Sequence, residues 1–377
     1  MKQKAVMVLV TGIVAVMAIY LGASPWNKLA ADYGGQCSDL NRNILDRSFD
    51  LGIEFLLANQ KEAGNFYYEY DWKTFKDNPG DSQVRQAGAT WGLALIYQDT
   101  GRQDLAEALL RALDYFRKIS KQTATGSRYI VYPGDRTGKL GTVALIALSY
   151  MDFLQKAKAI LVSDALKQFQ TEMNQYIDFL VEARRDSGLF YSNYSIENGD
   201  PFGKPSPYSD GESLLALVKA AKYHGRKDLV PLVMDAAREG WRVNITEALK
   251  KDPDSKTTKG YYQWSSMALY EMFTADWDGT QPYGQVVIEL ADWMIDVHKT
   301  LERTRNTAYA YEGIISAFAI AKQIGDIEHA EKFACVIDQG LRKLTSWQVG
   351  SPISNSYISS VPTADIRAIG GVQNHRQ

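Results

Sequence analysis

From residue 39 onward the apolar positions recur at helical spacing, in two alternating kinds of segment. In "RQDLAEALLRALDYFRKI", Leu105, Leu109, Leu113 and Phe116 fall on one stripe, while Arg111, Asp114 and Arg117 lie off it. "DALKQFQTEMNQYIDFL" repeats the pattern with Leu166, Phe169, Met173, Ile177 and Leu180. Such stripes belong to helices with one face on a core and one in water. The other segments are apolar nearly all round: "QAGATWGLALIY", "GKLGTVALIALSYMDFL", "SLLALVKAA", "YYQWSSMALYEMF" and "YEGIISAFAIA". A helix of that kind is buried on every side. The pattern predicts amphipathic helices at 39–60, 102–120, 161–184, 226–250, 282–302 and 326–346. It predicts apolar ones at 82–99, 139–155, 210–224, 262–274 and 308–323. Strands have little support beyond "NFYYEY" and "SRYIVY".

Gly101, Gly225 and Gly325 each follow an apolar segment, where a left-handed residue ends a helix. They fall about two hairpins apart, giving a repeat of ~50 residues. A closed double ring buries one set of helices completely and leaves the other facing water. The alternation therefore resembles the (α/α)6 six-hairpin toroids, a superfamily of glycoside hydrolases, polysaccharide lyases and sugar epimerases. The resemblance covers residues 38–377 and implies an all-α toroid with amphipathic helices outside and apolar helices inside. The sixth inner helix is expected to be missing, because the sequence stops at Gln377 after a link like those that precede the other five. A truncated chain, another chain or the N-terminal segment would account for that gap.

Residues 1–22 stand apart: "MKQK" is followed by nineteen uncharged, mostly apolar residues. That length suits a membrane anchor with the body translocated, and a cleaved signal peptide is the alternative. Residues 23–37 then form a linker. The body is expected in the periplasm on an inner-membrane anchor, or secreted. Cys37 and Cys335 can pair there. A net charge of −2 provides no field for nucleic acid. The four histidines show no metal-ligand spacing, and no cofactor motif is present, so neither metal nor cofactor is expected.

Links that lead into apolar helices are mostly long, and long structured links are usually functional. They carry many of the 22 Tyr and 8 Trp, side chains that stack on sugars. The expected partner is an oligo- or polysaccharide, and the leading expectation is hydrolysis of a glycosidic bond by two rim carboxyls. Glu312 and Asp210 are the candidate pair, with Asp135 in reserve. The alternative is a uronate lyase or C5-epimerase in which Tyr309, Tyr311 and His375 handle protons and Arg85 neutralises the acid. A non-catalytic glycan- or protein-binding toroid is a third reading. Candidate contacts to substrate are Tyr68, Trp72, Arg85, Gln86, Tyr132, Arg136, Tyr208, Trp264 and Tyr311. Against these readings, Ser209-Asp210-Gly211-Glu212 has the form of a capping box, which would make Glu212 a helix cap.

Overall fold

The computed structural model describes residues 37–157, 160–304 and 307–373, together with Met7–Val8. In chain order the helices are α1 (Arg42–Ala58), α2 (Gln83–Thr100), α3 (Gln103–Lys118), α4 (Leu140–Ala157), α5 (Ser163–Glu182), α6 (Pro207–Tyr223) and α7 (Val230–Trp241). They continue with α8 (Ala248–Lys251), α9 (Lys256–Ala275), α10 (Pro282–Asp292), α11 (Ala308–Ile324), α12 (Ile327–Ser346) and α13 (Ser356–Ser359). A π-helical stretch, Arg242–Glu247, joins α7 to α8, and another, Trp293–Val297, prolongs α10.

The two kinds of helix are real. On α3 only Leu105, Ala106, Ala108, Leu109, Ala112, Leu113 and Phe116 are buried, a single stripe. Every residue from Leu140 to Phe153 on α4, and from Ser209 to Ala221 on α6, is buried. Each large aliphatic side chain removed from water in this way contributes roughly 1.5–3 kcal/mol. Frequent Ala, Gly and Ser on these helices let their neighbours approach closely.

Two compact units make up the chain, residues 1–89 with 288–377, and residues 90–287. In the second unit α6 packs on both α4 and α9, and α5 and α7 also lie against it. In the first, α11 packs on α12, and the Cys37–Cys335 disulfide fastens the residues ahead of α1 to α12.

Eight short strands occur among the described residues: β1 (Met7–Val8), β2 (Glu69–Asp71), β3 (Lys76–Asn78), β4 (Ser120–Gln122), β5 (Arg128–Ile130), β6 (Thr137–Lys139), β7 (Asn193–Ser195) and β8 (Pro201–Phe202). They form antiparallel sets β1-β2-β3, β4-β5 and β6-β7-β8. Apart from β1, all lie in links from an amphipathic to a buried helix. The same turn opens two of these links. Gly64 N–H bonds Lys61 O at 2.9 Å and Tyr67 N–H bonds Asn59 O at 3.0 Å; Gly188 and Tyr191 repeat this on Arg185 O and Ala183 O at 2.9 and 3.0 Å. Both glycines have positive φ, +104° and +88°, a conformation that costs any other residue.

Two expectations need correction. The link read as 251–261 shrinks to four residues, because Ser255 accepts the Thr257 and Thr258 N–H groups and starts α9 at Lys256. Residues 256–261, expected in the link, are therefore helix. Helix α6 starts at Pro207 with Ser206 as its N-cap, so Ser209 and Glu212 lie inside the helix and the capping box does not form. The link after α12 is an ordered strap that holds one turn of helix, α13, among its described residues. Gln348 donates to Ser48 O and Gly370 O at 2.9 and 3.0 Å. Arg367 lies 4.0 and 4.5 Å from the Tyr67 and Tyr70 rings and pairs with Asp77. Gly370 (φ +89°) passes so close to α1 that a Cβ there would sit 1.8 Å from Leu51 O.

No helix among the described residues is long and apolar enough to cross a membrane. The expected anchor, residues 1–22, lies outside them except for Met7–Val8, whose backbone pairs with Glu69–Tyr70.

Candidate functional site

Tyr309 stands in the first turn of α11, half-buried, with its hydroxyl 3.2 Å from Nε2 of His298. His298 is 3 % exposed, and Trp293 stacks on its imidazole at 5.7 Å. Arg303 clasps the same histidine, bonding its carbonyl through Nε at 2.7 Å and placing Nη2 3.0 Å from Nδ1. A guanidinium can only donate, so Nδ1 accepts and the imidazole proton sits on Nε2. The neutral imidazole therefore donates Nε2–H to the Tyr309 oxygen, and the phenolic proton is left to point elsewhere.

The backbone is shaped for this arrangement. The π-helical stretch brings Trp293 under the ring, and Lys299, at φ +56°, turns the chain back sharply. A non-glycine residue in that region stores strain, as often occurs at functional positions. Lys343 on α12 secures the turn by donating to Thr300 O, Leu301 O and Arg303 O at 3.3, 3.3 and 2.6 Å. Glu312 follows Tyr309 by three residues, on the same face of α11, and is 1 % exposed.

Asp210, in the unit of residues 90–287, is held differently. Its Oδ1 accepts the Phe190 N–H at 3.0 Å and its Oδ2 accepts the Asn244 amide at 3.1 Å. It is 3 % exposed, and burial pushes its pKa up to about 6 against these two bonds. Gln86 occupies the same fourth position on α2 that Asp210 has on α6. Its amide bonds Phe66 N–H at 2.8 Å and Phe66 O at 2.9 Å. Phe66 and Phe190 are equivalent residues of the repeated turn, so Gln86 and Asp210 are both clamps between a link and the head of a buried helix. Gln86 is buried and spent on this bond, and is not a substrate contact. Asp210→Asn keeps an acceptor for Phe190 while Asn244 reverses its amide, so its melting temperature should stay near that of the wild type. Asp210→Ala strands two buried donors and should cost about 1–3 kcal/mol for each in chemical denaturation.

Two residues beyond, Glu212 is 4 % exposed, and burial alone pushes its pKa up to about 8. Its carboxyl fits only because residue 141 is glycine: a Cβ there would lie 2.0 Å from Glu212 Oε2.

The other candidates separate into exposed and buried groups. Asp135 and Arg136 are exposed on a turn closed by Asp135 N–H to Tyr132 O at 3.2 Å, and Tyr132 itself is buried. Tyr208 is exposed. Tyr68 accepts from exposed Arg85 at 2.7 Å, with Glu69 3.4 Å from the same guanidinium. Trp72, Trp264 and Tyr311 are packing residues: Trp72 meets Tyr357 edge-on, Trp264 lies 5.7 Å from Trp91, and Tyr311 presses on Gly340. A side chain without surface has no face for a ligand. His375 lies outside the described residues. Among the described residues no group of three or more His, Cys, Asp or Glu is placed to hold a metal ion.

Sequence reasoning missed His298, Arg303 and Asn244. His298 carries a weak signal, since it sits where an amphipathic segment meets a long link. Asn244 carries none, because it reaches Asp210 only through the π-helical stretch after α7.

No protein-family model matches the chain, and no curated protein matches it. Solved structures do. A glycoside hydrolase family 76 (mannosidase) protein from Bacteroides thetaiotaomicron aligns with TM-score 0.55 and 10 % identity, over 85 % of this chain and 88 % of its own. A D-mannose isomerase aligns with TM-score 0.57 and 12 % identity, over 89 % and 94 %. The cellobiose 2-epimerase from Spirochaeta thermophila gives 0.57 and 11 %, over 85 % and 88 %. All are (α/α)6 toroids, and this chain has that fold.

Proposed function

We propose that this (α/α)6 chain is a carbohydrate-active enzyme that moves a proton at a sugar carbon beside a carbonyl or carboxylate, with Tyr309 as the acid and base. The observation that carries the reading is the Tyr309–His298–Arg303 chain of contacts. A phenol that gives its proton to a sugar leaves an oxyanion, and the fixed Nε2–H of His298 is already aimed at it. Run backwards, the same oxygen removes a proton. Proteins of this fold described as a mannosidase, an isomerase and an epimerase support a sugar substrate. The Tyr68–Arg85 pair, in the same unit as Tyr309, offers an aromatic face and a cation for a sugar or its carboxylate. The Cys37–Cys335 bond supports an oxidising compartment outside the cytoplasm, and the apolar segment behind "MKQK" supports a membrane tether.

Hydrolysis is the second reading, favoured by Asp210, whose pKa of about 6 lies where a general acid works. One experiment separates the two. The chain is incubated in deuterated water with acidic and neutral polysaccharides, while reducing ends, unsaturated-uronate absorbance and deuterium in the sugar are followed. Deuterium uptake or new absorbance supports proton transfer at carbon. Reducing ends without either make the protein a hydrolase and end the Tyr309 reading.

A further inference from the structure

The strap after α12 borders a half-open cavity of about 200 Å³. It is smaller than the ~300–1,000 Å³ of sites for drug-sized ligands, so it suits one ring rather than a chain. Val349 and Ile353, both buried, form an aliphatic wall. Ser354, Asn355 and Ser359 bring polar groups to it, and among the described residues no charged side chain lines it. Asn355 Oδ1 is used by the Tyr357 and Ile358 N–H groups at 3.0 and 3.3 Å, which fixes the amide and leaves Nδ2 available. Among the described residues the Ser354 and Ser359 hydroxyls have no protein partner, although the strap satisfies its own backbone.

The cavity is joined to Tyr309 through the first unit. Helices α11 and α12 pack as an antiparallel hairpin, so the head of α11 and the tail of α12 lie at one end. Lys343 ties the His298–Arg303 turn to that tail, lies 5.3 Å from the Trp347 ring, and Trp347 precedes the first lining residue, Gln348.

We infer that this cavity is a subsite for one uncharged sugar unit, so that the substrate is an oligo- or polysaccharide gripped beyond its reacting unit. The inference rests on the reading of the chain as a sugar-acting enzyme. Aliphatic contact on one side with small hydroxyl and amide groups on the other matches a pyranose, which presents C–H patches between its hydroxyls. Lack of any cation in the lining disfavours a uronate there.

The test is calorimetric titration of the full chain with mannotetraose, cellotetraose and tetragalacturonate, alongside Tyr309→Phe and Ser354→Trp. Ser354 is exposed, so the indole can fill the mouth without disturbing the fold, and Ser359→Leu is the second blocking variant. Expected is binding of a neutral tetrasaccharide by the wild type and by Tyr309→Phe with equal Kd, weakened at least tenfold by both blocking variants. Neutral binding without turnover on any substrate leaves the subsite standing and sinks the Tyr309 reading alone. Unchanged affinity in the blocking variants, binding of tetragalacturonate only, or no binding overturns the inference.

Discussion

Tyr309→Phe should lower kcat by about 10²–10⁴-fold, the range that a positioned acid or base contributes, and leave the melting temperature almost unchanged. The bond from the hydroxyl to His298 is half-buried, and a hydrogen bond of this kind is worth about 0.5–1.5 kcal/mol. His298 acts through that oxygen as a positioning residue, so its variants should differ from one another. His298→Leu removes the donor and should lose most of kcat with KM little altered. His298→Gln restores an N–H in reach of Tyr309 and should recover part of kcat, with a shifted pH profile. Equal activity in all three variants would place the chemistry elsewhere, with Asp210 and Glu312 next to be tested.

Stability should fall as pH rises through neutrality, and Glu212→Gln should abolish most of that fall. Glu212 has a folded pKa of about 8, raised by burial above its ordinary value of 4.5. The folded state thus holds a proton that the unfolded state has released across this window, and protons favour folding there. Its stabilisation is complete below about pH 4.5 and is lost as pH climbs to about 8. At 1.36 kcal/mol per unit the full loss is about 5 kcal/mol. Asp210 adds a smaller fall in the same direction between its ordinary value of 3.8 and about 6. Denaturation curves at pH 5, 7 and 9 should show the wild type weakening faster than Glu212→Gln, with the variant the more stable at pH 9. Parallel curves would mean that water reaches the carboxyl.

How much of this was legible can be judged from particular residues. Helix α3, expected at 102–120, is Gln103–Lys118, and α11, expected at 308–323, is Ala308–Ile324. Both have a strong period and defined ends. The start of helix α9, expected at 262, is at Lys256, because Ser255 caps it and residues 256–261 carry no helical signal of their own. The candidate site was less legible. Tyr309 was found because it heads a buried helix after a long link. Trp72 and Tyr311 have the same credentials and are wholly buried, because side-chain direction is set by packing, which one-dimensional spacing does not contain.

Hydrophobic period, glycine punctuation and link length by themselves determined the two classes of helix, their order and the all-α toroid. These are local properties, repeated about every 50 residues, and repetition makes a weak signal cumulative. Only the tertiary structure decided what each polar side chain does. Lys219 and Asp152 interrupt apolar helices, and they meet at 2.5 Å inside one unit with Trp91 donating to the same carboxylate at 2.8 Å. Asp210, a candidate acid, also serves as a clamp matched to Gln86. His298 looked isolated and stands behind Tyr309. Each such role depends on a partner from a distant element, a turn or a π-helical stretch, and a hydrogen bond depends on ångström-scale placement that no spacing along the chain encodes.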